Sequence, residues 1–184
     1  ADGLPRYSEI GQFSGISNTD WSWSPLLVDL DNDGFRDIFI TNGYLRDITN
    51  MDNMRRTSEI YKMAEASNQE VNYLRLIEEI PTTQQENYLY RNQGGLRFIN
   101  VIREWGLQQK TISNGGAYAD FDNDGDYDLI TNNLNQNVSL YRNNLSEFSD
   151  NNFVKIKLAG SMLNSHGIGA KIWVETENES IFHE

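Results

Sequence analysis

The sequence has no cysteine and no apolar run long enough to cross a membrane. The lack of cysteine excludes disulfides, thiolate chemistry and zinc–cysteine clusters. Basic residues are also few, since 15 lysines and arginines stand against 27 acidic residues and leave a formal net charge of −12. A nucleic-acid surface needs a basic patch, so this composition argues against nucleic-acid partners and against a membrane span.

Groups that carry catalysis are equally scarce. His166 and His183 are the two histidines, and both lie near the C-terminal end. The sequence has no Gly-x-Ser-x-Gly motif and no glycine-rich phosphate loop. Serine and aspartate are frequent, but no motif joins them to a base. We therefore predict that the chain is not an enzyme.

The chain contains instead an acidic loop motif that occurs twice. Residues 29–37 read Asp-Leu-Asp-Asn-Asp-Gly-Phe-Arg-Asp, and residues 120–128 read Asp-Phe-Asp-Asn-Asp-Gly-Asp-Tyr-Asp. Carboxylates occupy loop positions 1, 3, 5 and 9 in both copies, and glycine occupies position 6. Four like charges so close together repel one another unless a cation binds between them, and Ca²⁺ prefers such an all-oxygen shell.

We predict two Ca²⁺ sites, one in each loop, with the backbone carbonyl of position 7 as a further ligand. An EF-hand is excluded because position 12 is Ile40 or Thr131 instead of glutamate, and because β-rich runs flank both loops. A pair of solvated acidic turns is the alternative, and the repetition of the full pattern disfavours it. The predicted ligands are Asp29, Asp31, Asp33, Phe35 and Asp37 in the first loop and Asp120, Asp122, Asp124, Asp126 and Asp128 in the second.

The repeat extends beyond the loops. At an offset of 91 residues, Gly15 corresponds to Gly106, and the motif Leu-Tyr-Arg-Asn recurs at 89–92 and 140–143. Repeats of a few short strands indicate stacked β units such as propeller blades. The predicted fold is therefore mainly β, with about two blades of a calcium-binding propeller and residues 7–10 as the outer strand of an earlier blade.

The first copy carries an insertion of about 40 residues between its loop and its Leu-Tyr-Arg-Asn motif. Apolar residues such as Ile60, Met63 and Ala64 follow helical spacing, and Pro81 ends the pattern. This predicts a helical hairpin. We expect its apolar stripe to pack on the blades, and a partner-binding lid is the alternative.

Trp21 and Trp23 are the best candidates for a ligand surface. Adjacent aromatic side chains can stack on sugars or on the side chains of a partner protein. Strand alternation places both rings on one side, which suits core packing as well. Core packing is the simpler expectation for this pair.

These motifs resemble FG-GAP/VCBS repeats, the calcium-bearing propeller units of integrin α subunits and of many secreted bacterial proteins. Residues 21–25 and 41–47 resemble, more narrowly, bacterial VCBS proteins that end in an ASPIC/UnbV domain. Residues 154–158 and 166–171 resemble the start of that domain. The resemblance implies an excerpt of a longer protein, with any export signal upstream and with an extracytoplasmic location in the periplasm, at the cell surface or outside the cell.

The expected organisation has four parts. Residues 1–50 contain the outer strand of a preceding blade and the first half of a blade, and residues 51–84 form the helical insertion. Residues 85–150 complete the first blade and form the second, and residues 151–184 begin the ASPIC/UnbV-like β segment. The expected function is a non-catalytic binding module for a protein or glycan ligand, with self-association through open blade edges. The alternative is a scaffold portion of a larger polymer-acting enzyme whose active site lies elsewhere.

Overall fold

The structure is a computed structural model that describes residues 6–68, 70–151, 153–176 and 180–183. It is mainly β, with antiparallel sheets and three α-helices among the described residues. The helices are α1 (Gly11–Ser14), α2 (Met51–Ser67) and α3 (Tyr73–Glu78). The strands are β1 (Ser22–Val28), β2 (Asp37–Asn42), β3 (Gln85–Glu86), β4 (Tyr88–Asn92), β5 (Phe98–Asn100), β6 (Lys110–Thr111), β7 (Ser113–Ala119), β8 (Asp128–Asn133), β9 (Ser139–Tyr141), β10 (Ile172–Glu175) and β11 (Ser180–His183).

The first sheet is a four-stranded antiparallel meander in the order β1-β2-β4-β5. Its central strands are rich in β-branched and aromatic residues, which suit a pleated surface covered on both faces. Phe39 of β2 lies opposite Leu89 of β4, and both side chains are fully buried. The first acidic loop joins β1 to β2, so the sheet's own pairing determines where that loop begins and ends.

The second sheet repeats this arrangement with β7, β8 and β9, and the second acidic loop joins β7 to β8. Strands β1 and β7 lie against one another and bring the sheets together. Gly116 permits this approach, because a Cβ atom there would lie 3.2 Å from Thr41 Cγ2 and 3.3 Å from Leu26 Cδ1. The two sheets share one core of Val28, Leu30, Phe39, Leu89, Val101, Ile102 and Leu129, flanked by Trp105 and Leu107.

Helices α2 and α3 occupy the insertion between β2 and β3. Asn50 begins α2 by accepting hydrogen bonds from the backbone N–H groups of Asp52 and Asn53. Neither helix contains a buried residue, so the expected packing of an apolar stripe on the sheets is wrong. Amphipathic spacing does not specify which surface a helix covers. Between these two helices, the rings of Tyr61 and Tyr73 are in contact, with centroids 5.9 Å apart.

The base of the insertion is closed by backbone pairing. Tyr44 and Thr83 form an isolated antiparallel bridge, and Asp47 N–H donates to the Pro81 carbonyl over 3.0 Å. Arg46 donates to the carbonyls of Glu78 and Ile80. The helical hairpin therefore leaves the sheet and returns to it at nearly the same point.

One predicted strand is wrong. Residues 7–10 lead into α1 without pairing, and Tyr7 is 89% exposed. Residues 154–158 also form no strand, and the C-terminal β structure is the hairpin of β10 and β11. Both segments have β-type residues, but a strand requires a paired neighbour and no other described segment pairs with either one.

A membrane span requires a helix of sufficient length and hydropathy. Among the described residues, no helix is both long enough and apolar enough to cross a membrane.

Candidate metal centre

Both acidic loops curl through the same two left-handed positions. Asn32 and Asn123 at loop position 4 have φ values of 51° and 63°, and Gly34 and Gly125 at position 6 have 88° and 97°. Asparagine and glycine are the residues that adopt this backbone conformation at low cost. The repeated turn folds the side chains of the odd-numbered positions toward one another.

In the first loop, the carboxylate of Asp29 organises the turn. Its oxygens accept hydrogen bonds from Asp33 N–H at 3.1 Å and from Gly34 N–H at 2.9 Å. One carboxylate oxygen from each of Asp29, Asp31 and Asp37 lies within 4.8 Å of the other two. Asp33 belongs to the same loop but lies outside this three-oxygen group. The structure thus brings together three of the four predicted acidic ligands.

In the second loop, the converging oxygens belong to Asp120, Asp122 and Asp124, again within 4.8 Å of one another. Asp128 lies outside this group. Ser146 closes the loop from outside, because its hydroxyl donates to Asp124 and its N–H donates to Asp126, each over 3.0 Å. Both loops can therefore hold a metal ion, although the members of the three-oxygen group differ.

The position 9 aspartates also have a structural role that the sequence did not predict. Asp37 accepts hydrogen bonds from Leu30 N–H at 3.1 Å and from Asn92 N–H at 2.8 Å. Asp128 accepts the equivalent bonds from Phe121 N–H at 2.9 Å and Asn143 N–H at 2.8 Å. Asp37 joins the start of its loop to the last residue of β4, and Asp128 joins the start of its loop to the segment just after β9.

The position 7 residues differ in environment. The ring of Phe35 is 46% exposed, whereas the side chain of Asp126 is buried. The role of their backbone carbonyls as metal ligands stays a prediction.

Several carboxylate oxygens in the loops have no hydrogen-bond donor. Oδ1 of Asp31, of Asp120 and of Asp126 is buried and receives no hydrogen bond from the described residues. A buried charged oxygen without a partner is costly. Asp31 and Asp120 belong to the converging groups, so a bound cation would satisfy their oxygens. The oxygen-only donor set suits a hard cation.

The electrostatics of the first loop agree with this chemistry. Burial raises the pKa of Asp37 to about 6, against the opposing effect of its two backbone hydrogen bonds. Burial also raises the pKa of Asp29 and of Asp31, and the neighbouring charge of Asp33 adds to both shifts. The negative charge of the loop is therefore incompletely compensated by the protein itself.

Two arginines supply part of that compensation. Arg91 Nε lies 2.7 Å from Asp31 Oδ2, and Arg142 Nε lies 2.7 Å from Asp122 Oδ2. Their second nitrogens lie 3.5 Å from Asp33 and 3.7 Å from Asp124. Sequence reasoning missed these pairs, although the repeated Leu-Tyr-Arg-Asn motif carries both arginines.

The segment after β9 also crosses the loops. The Phe153 ring lies directly over Gly125, where a Cβ atom would collide with it. Lys155 Nζ lies 3.5 Å from Asp120 Oδ2 and 3.2 Å from Asn123 Oδ1. This lysine has no counterpart among the described contacts of the first loop.

Trp21 and Trp23 lie at the opposite end of β1 from the acidic loop. The Trp21 ring packs on Tyr44 with centroids 5.1 Å apart, and Trp23 Nε1–H donates to the Gly43 carbonyl over 2.6 Å. Asn42 supports this corner, because its side chain is fully buried and accepts hydrogen bonds from Trp21 N–H and Gly43 N–H. The Trp23 ring remains 49% exposed, so part of the predicted ligand surface is accessible.

A cleft of about 650 Å³ lies between the two sheets, next to both loops. Trp105, Tyr127 and Tyr141 line it together with Arg91 and Arg142. Sequence reasoning missed this cleft because its walls come from separate repeats. Aromatic rings beside a few polar groups are typical of ligand sites.

Comparison with known proteins identifies no family for the chain. No protein-family model matches it, and no curated protein matches it either. The resemblance to FG-GAP/VCBS and ASPIC/UnbV proteins therefore stays a prediction based on motifs. The chemistry of the two acidic loops is then the strongest guide to function.

Proposed function

We propose that the two acidic loops bind Ca²⁺, and that the chain is a non-catalytic, calcium-stabilised portion of a β-propeller from an exported bacterial protein. The observation that carries this proposal is the repetition of one arrangement at equivalent points of two sheets. In each loop, three carboxylates converge within 4.8 Å and at least one buried carboxylate oxygen lacks a donor. Solvated turns have no need of either feature.

The donor set supports calcium over other metals. Asp29, Asp31 and Asp37 would hold one ion, and Asp120, Asp122 and Asp124 the other. They offer oxygen only, whereas zinc sites commonly use nitrogen or sulfur. A bound ion would favour the ionised forms of Asp29, Asp31 and Asp37, whose pKa values are raised chiefly by burial.

The strand order supports the propeller part of the proposal. The first sheet is a four-stranded meander with its loop between the first two strands, and the second sheet begins in the same way. Propeller blades are four-stranded antiparallel sheets arranged around a common axis. Strands β1 and β7 lie against each other as the innermost strands of neighbouring blades do.

Binding of a protein or glycan is the proposed role of the module. The cleft between the sheets and the exposed part of Trp23 offer aromatic surface for such a ligand. Sites built within one short loop fill best where free calcium is high, which supports an extracytoplasmic location. Calcium would then fix the shape of the loops that border the cleft.

Calcium titration by calorimetry and by thermal melting tests the proposal. Ca²⁺ binds the folded loops, so it should raise the melting temperature of the wild-type protein by linkage. Asp31→Ala and Asp122→Ala should each remove one binding event and part of that rise. Glu59→Ala is the control, because it removes an exposed helix carboxylate outside the loops. A wild-type protein without calcium heat or thermal shift would contradict the proposal.

A further inference from the structure

Side-chain amides connect the first acidic loop to the second loop and to the segment that follows β9. Asn143 Nδ2 donates to the Leu30 carbonyl of the first loop over 2.8 Å. Asn151 Nδ2 donates to the Asp31 carbonyl over 2.8 Å, and Asn32 Nδ2 donates to the Gly125 carbonyl over 3.4 Å. All three acceptor carbonyls, those of Leu30, Asp31 and Gly125, therefore belong to the acidic loops.

Asn143 contacts both loops at once. Its backbone N–H donates to Asp128 Oδ1 of the second loop, and its side chain reaches both Tyr127 and Leu30 carbonyls. A shift of the Leu30 carbonyl therefore moves or releases Asn143, the residue that donates to Asp128. The bond between Asn143 and Leu30 joins the second repeat to the first.

Asn92 is the matched residue of the first repeat. Its N–H donates to Asp37 and its side chain donates to the Arg36 carbonyl, both in the first loop. Its side-chain oxygen accepts from Gly94 N–H, as that of Asn143 accepts from Leu145 N–H. The two asparagines thus differ chiefly in the bond that Asn143 makes to the other repeat.

We propose that the two loops bind Ca²⁺ with positive cooperativity, and that Asn143 is the main residue that couples them. The inference rests on the proposed function, because it requires calcium in both loops. An ion in the first loop fixes the Leu30 carbonyl, which then holds Asn143 and the Asp128 anchor in place. The second loop is then partly ordered before its own ion binds, so that binding loses less conformational entropy. Coupling in binding is reciprocal, so the second ion favours the first by the same factor.

Site-resolved calcium titration tests this coupling. The backbone amide NMR signals of Gly34 and Gly125 report the first and second loops separately. Asp31→Ala disables the first loop, and we expect the half-saturating Ca²⁺ concentration of the second loop to rise about three- to tenfold, as loss of one hydrogen-bonded link implies. In an Asn143→Ala background, the same substitution should raise it less than about twofold.

The controls separate coupling from charge and from folding. Loss of the Asp31 charge is common to both backgrounds, so a purely electrostatic effect would be equal in each. Asn92→Ala should keep the full dependence on Asp31. If Asn143→Ala does not fold, Asn32→Gly removes another link and keeps a residue suited to the φ of 51°. That variant should lessen the dependence in part.

The outcomes distinguish the two levels of the proposal. A wild-type protein whose two glycine signals ignore Ca²⁺ overturns both calcium binding and coupling. In a second outcome, both loops bind Ca²⁺ while Asp31→Ala raises the half-saturating concentration of the second loop equally with asparagine or alanine at position 143. That result overturns coupling and leaves calcium binding intact. If Asp31→Ala raises the half-saturating concentration less in the Asn143→Ala background, and by the full amount in the Asn92→Ala background, the result supports the coupling role of Asn143.

Discussion

Asp31 and Asp122 stand at the same position of two copies of one loop, and each meets an arginine from a distant strand. The spacing of the acidic residues predicts that carboxylates converge within each loop, because a tight loop brings alternate positions together. It does not predict that Asp33 and Asp128 lie outside the two three-oxygen groups. It does not predict the arginine partners, since these approach only after the third strand pairs with the second. For the same reason the backbone contacts of Asp37 and Asp128 were not foreseen.

Arg91 is expected to matter most when the metal is absent. In calcium-depleted buffer, Arg91→Gln should lower the free energy of unfolding by about 0.2–1 kcal/mol, because the pair with Asp31 is partly exposed. With saturating Ca²⁺ the loss should be smaller, since the ion then compensates the carboxylates. Urea unfolding in both buffers measures this, with Arg97→Gln as the exposed control. Equal losses in the two buffers would contradict the compensating role.

The raised pKa of Asp37 predicts how the calcium-free protein responds to pH. Its pKa is about 6 in the folded chain against an ordinary value of 3.8. The folded state therefore holds the proton more tightly, so the contribution of Asp37 to stability is greatest below about pH 4 and is lost as the pH rises through 6. The full shift corresponds to at most about 3 kcal/mol.

Thermal melts between pH 4 and 7 in calcium-depleted buffer measure this dependence. Asp37→Asn should flatten the decline over pH 4 to 6, because the titrating group is gone. Saturating Ca²⁺ should oppose the decline, since the ion favours the ionised carboxylates. A decline of the same slope in Asp37→Asn would assign the effect to other groups.

At the scale of secondary-structure elements, the sequence predicts those strands and helices whose formation depends on neighbouring residues. The strands around each loop and the helices of the insertion occur where pattern and capping residues place them. The predicted strand at residues 7–10 is wrong because a strand depends on pairing between distant segments, and no described segment pairs with these residues. The surface that a helix covers is a similar non-local property, which explains the wrong expectation for α2 and α3.

The helical insertion is expected to be dispensable for the sheets. Replacing residues 49–80 with a short Gly-Ser linker should change the free energy of unfolding by about 1 kcal/mol or less, because the ends already meet at Asp47 and Pro81. The calcium response should persist. Leu89→Ala provides the contrast, since truncating this fully buried side chain should cost about 2–5 kcal/mol. Urea unfolding of both variants compares them, and loss of the fold on deletion would show that the helices support the sheets.

At the scale of the whole molecule, the two larger sheets lie around one shared core, and each carries one of the acidic loops. The internal repeat predicts two similar units but does not specify how they meet. That geometry depends on close approach at Gly116 and on the cross-repeat bond of Asn143. The cleft between the sheets follows from the same geometry, which explains why sequence reasoning missed it.

Strand β9 is expected to promote self-association. It is an edge strand of its sheet, and Leu140 within it is 62% exposed. Unprotected edges pair with other chains, and a lysine on the edge opposes this. Leu140→Lys should therefore reduce any concentration-dependent association seen by analytical ultracentrifugation. Leu163→Lys, at a fully exposed site outside the strands, is the control. Equal behaviour of the two variants would exclude this edge as the contact.

The charge of the whole chain and its lack of catalytic motifs give a further prediction. With a net charge of −12, the protein should not retain DNA or RNA at physiological salt. It should also show no hydrolysis of glycan, ester, phosphate or peptide substrates, with or without Ca²⁺. Electrophoretic mobility shifts and a substrate panel measure both properties. Turnover that disappears when one residue of this chain is substituted would contradict the proposal that the chain is non-catalytic.

The burial of Asn42 has a consequence for chemical ageing. Asparagine followed by glycine deamidates when the glycine nitrogen attacks the side-chain carbonyl carbon, forms a succinimide and releases ammonia. In Asn42–Gly43 the amide is held by hydrogen bonds from Trp21 and Gly43 and to the Glu86 carbonyl, and it has no room to rotate into that attack. Asn114–Gly115 has the same sequence with an exposed asparagine. Stored folded protein should therefore accumulate isoaspartate at Asn114, whereas unfolded chains should accumulate it at both positions.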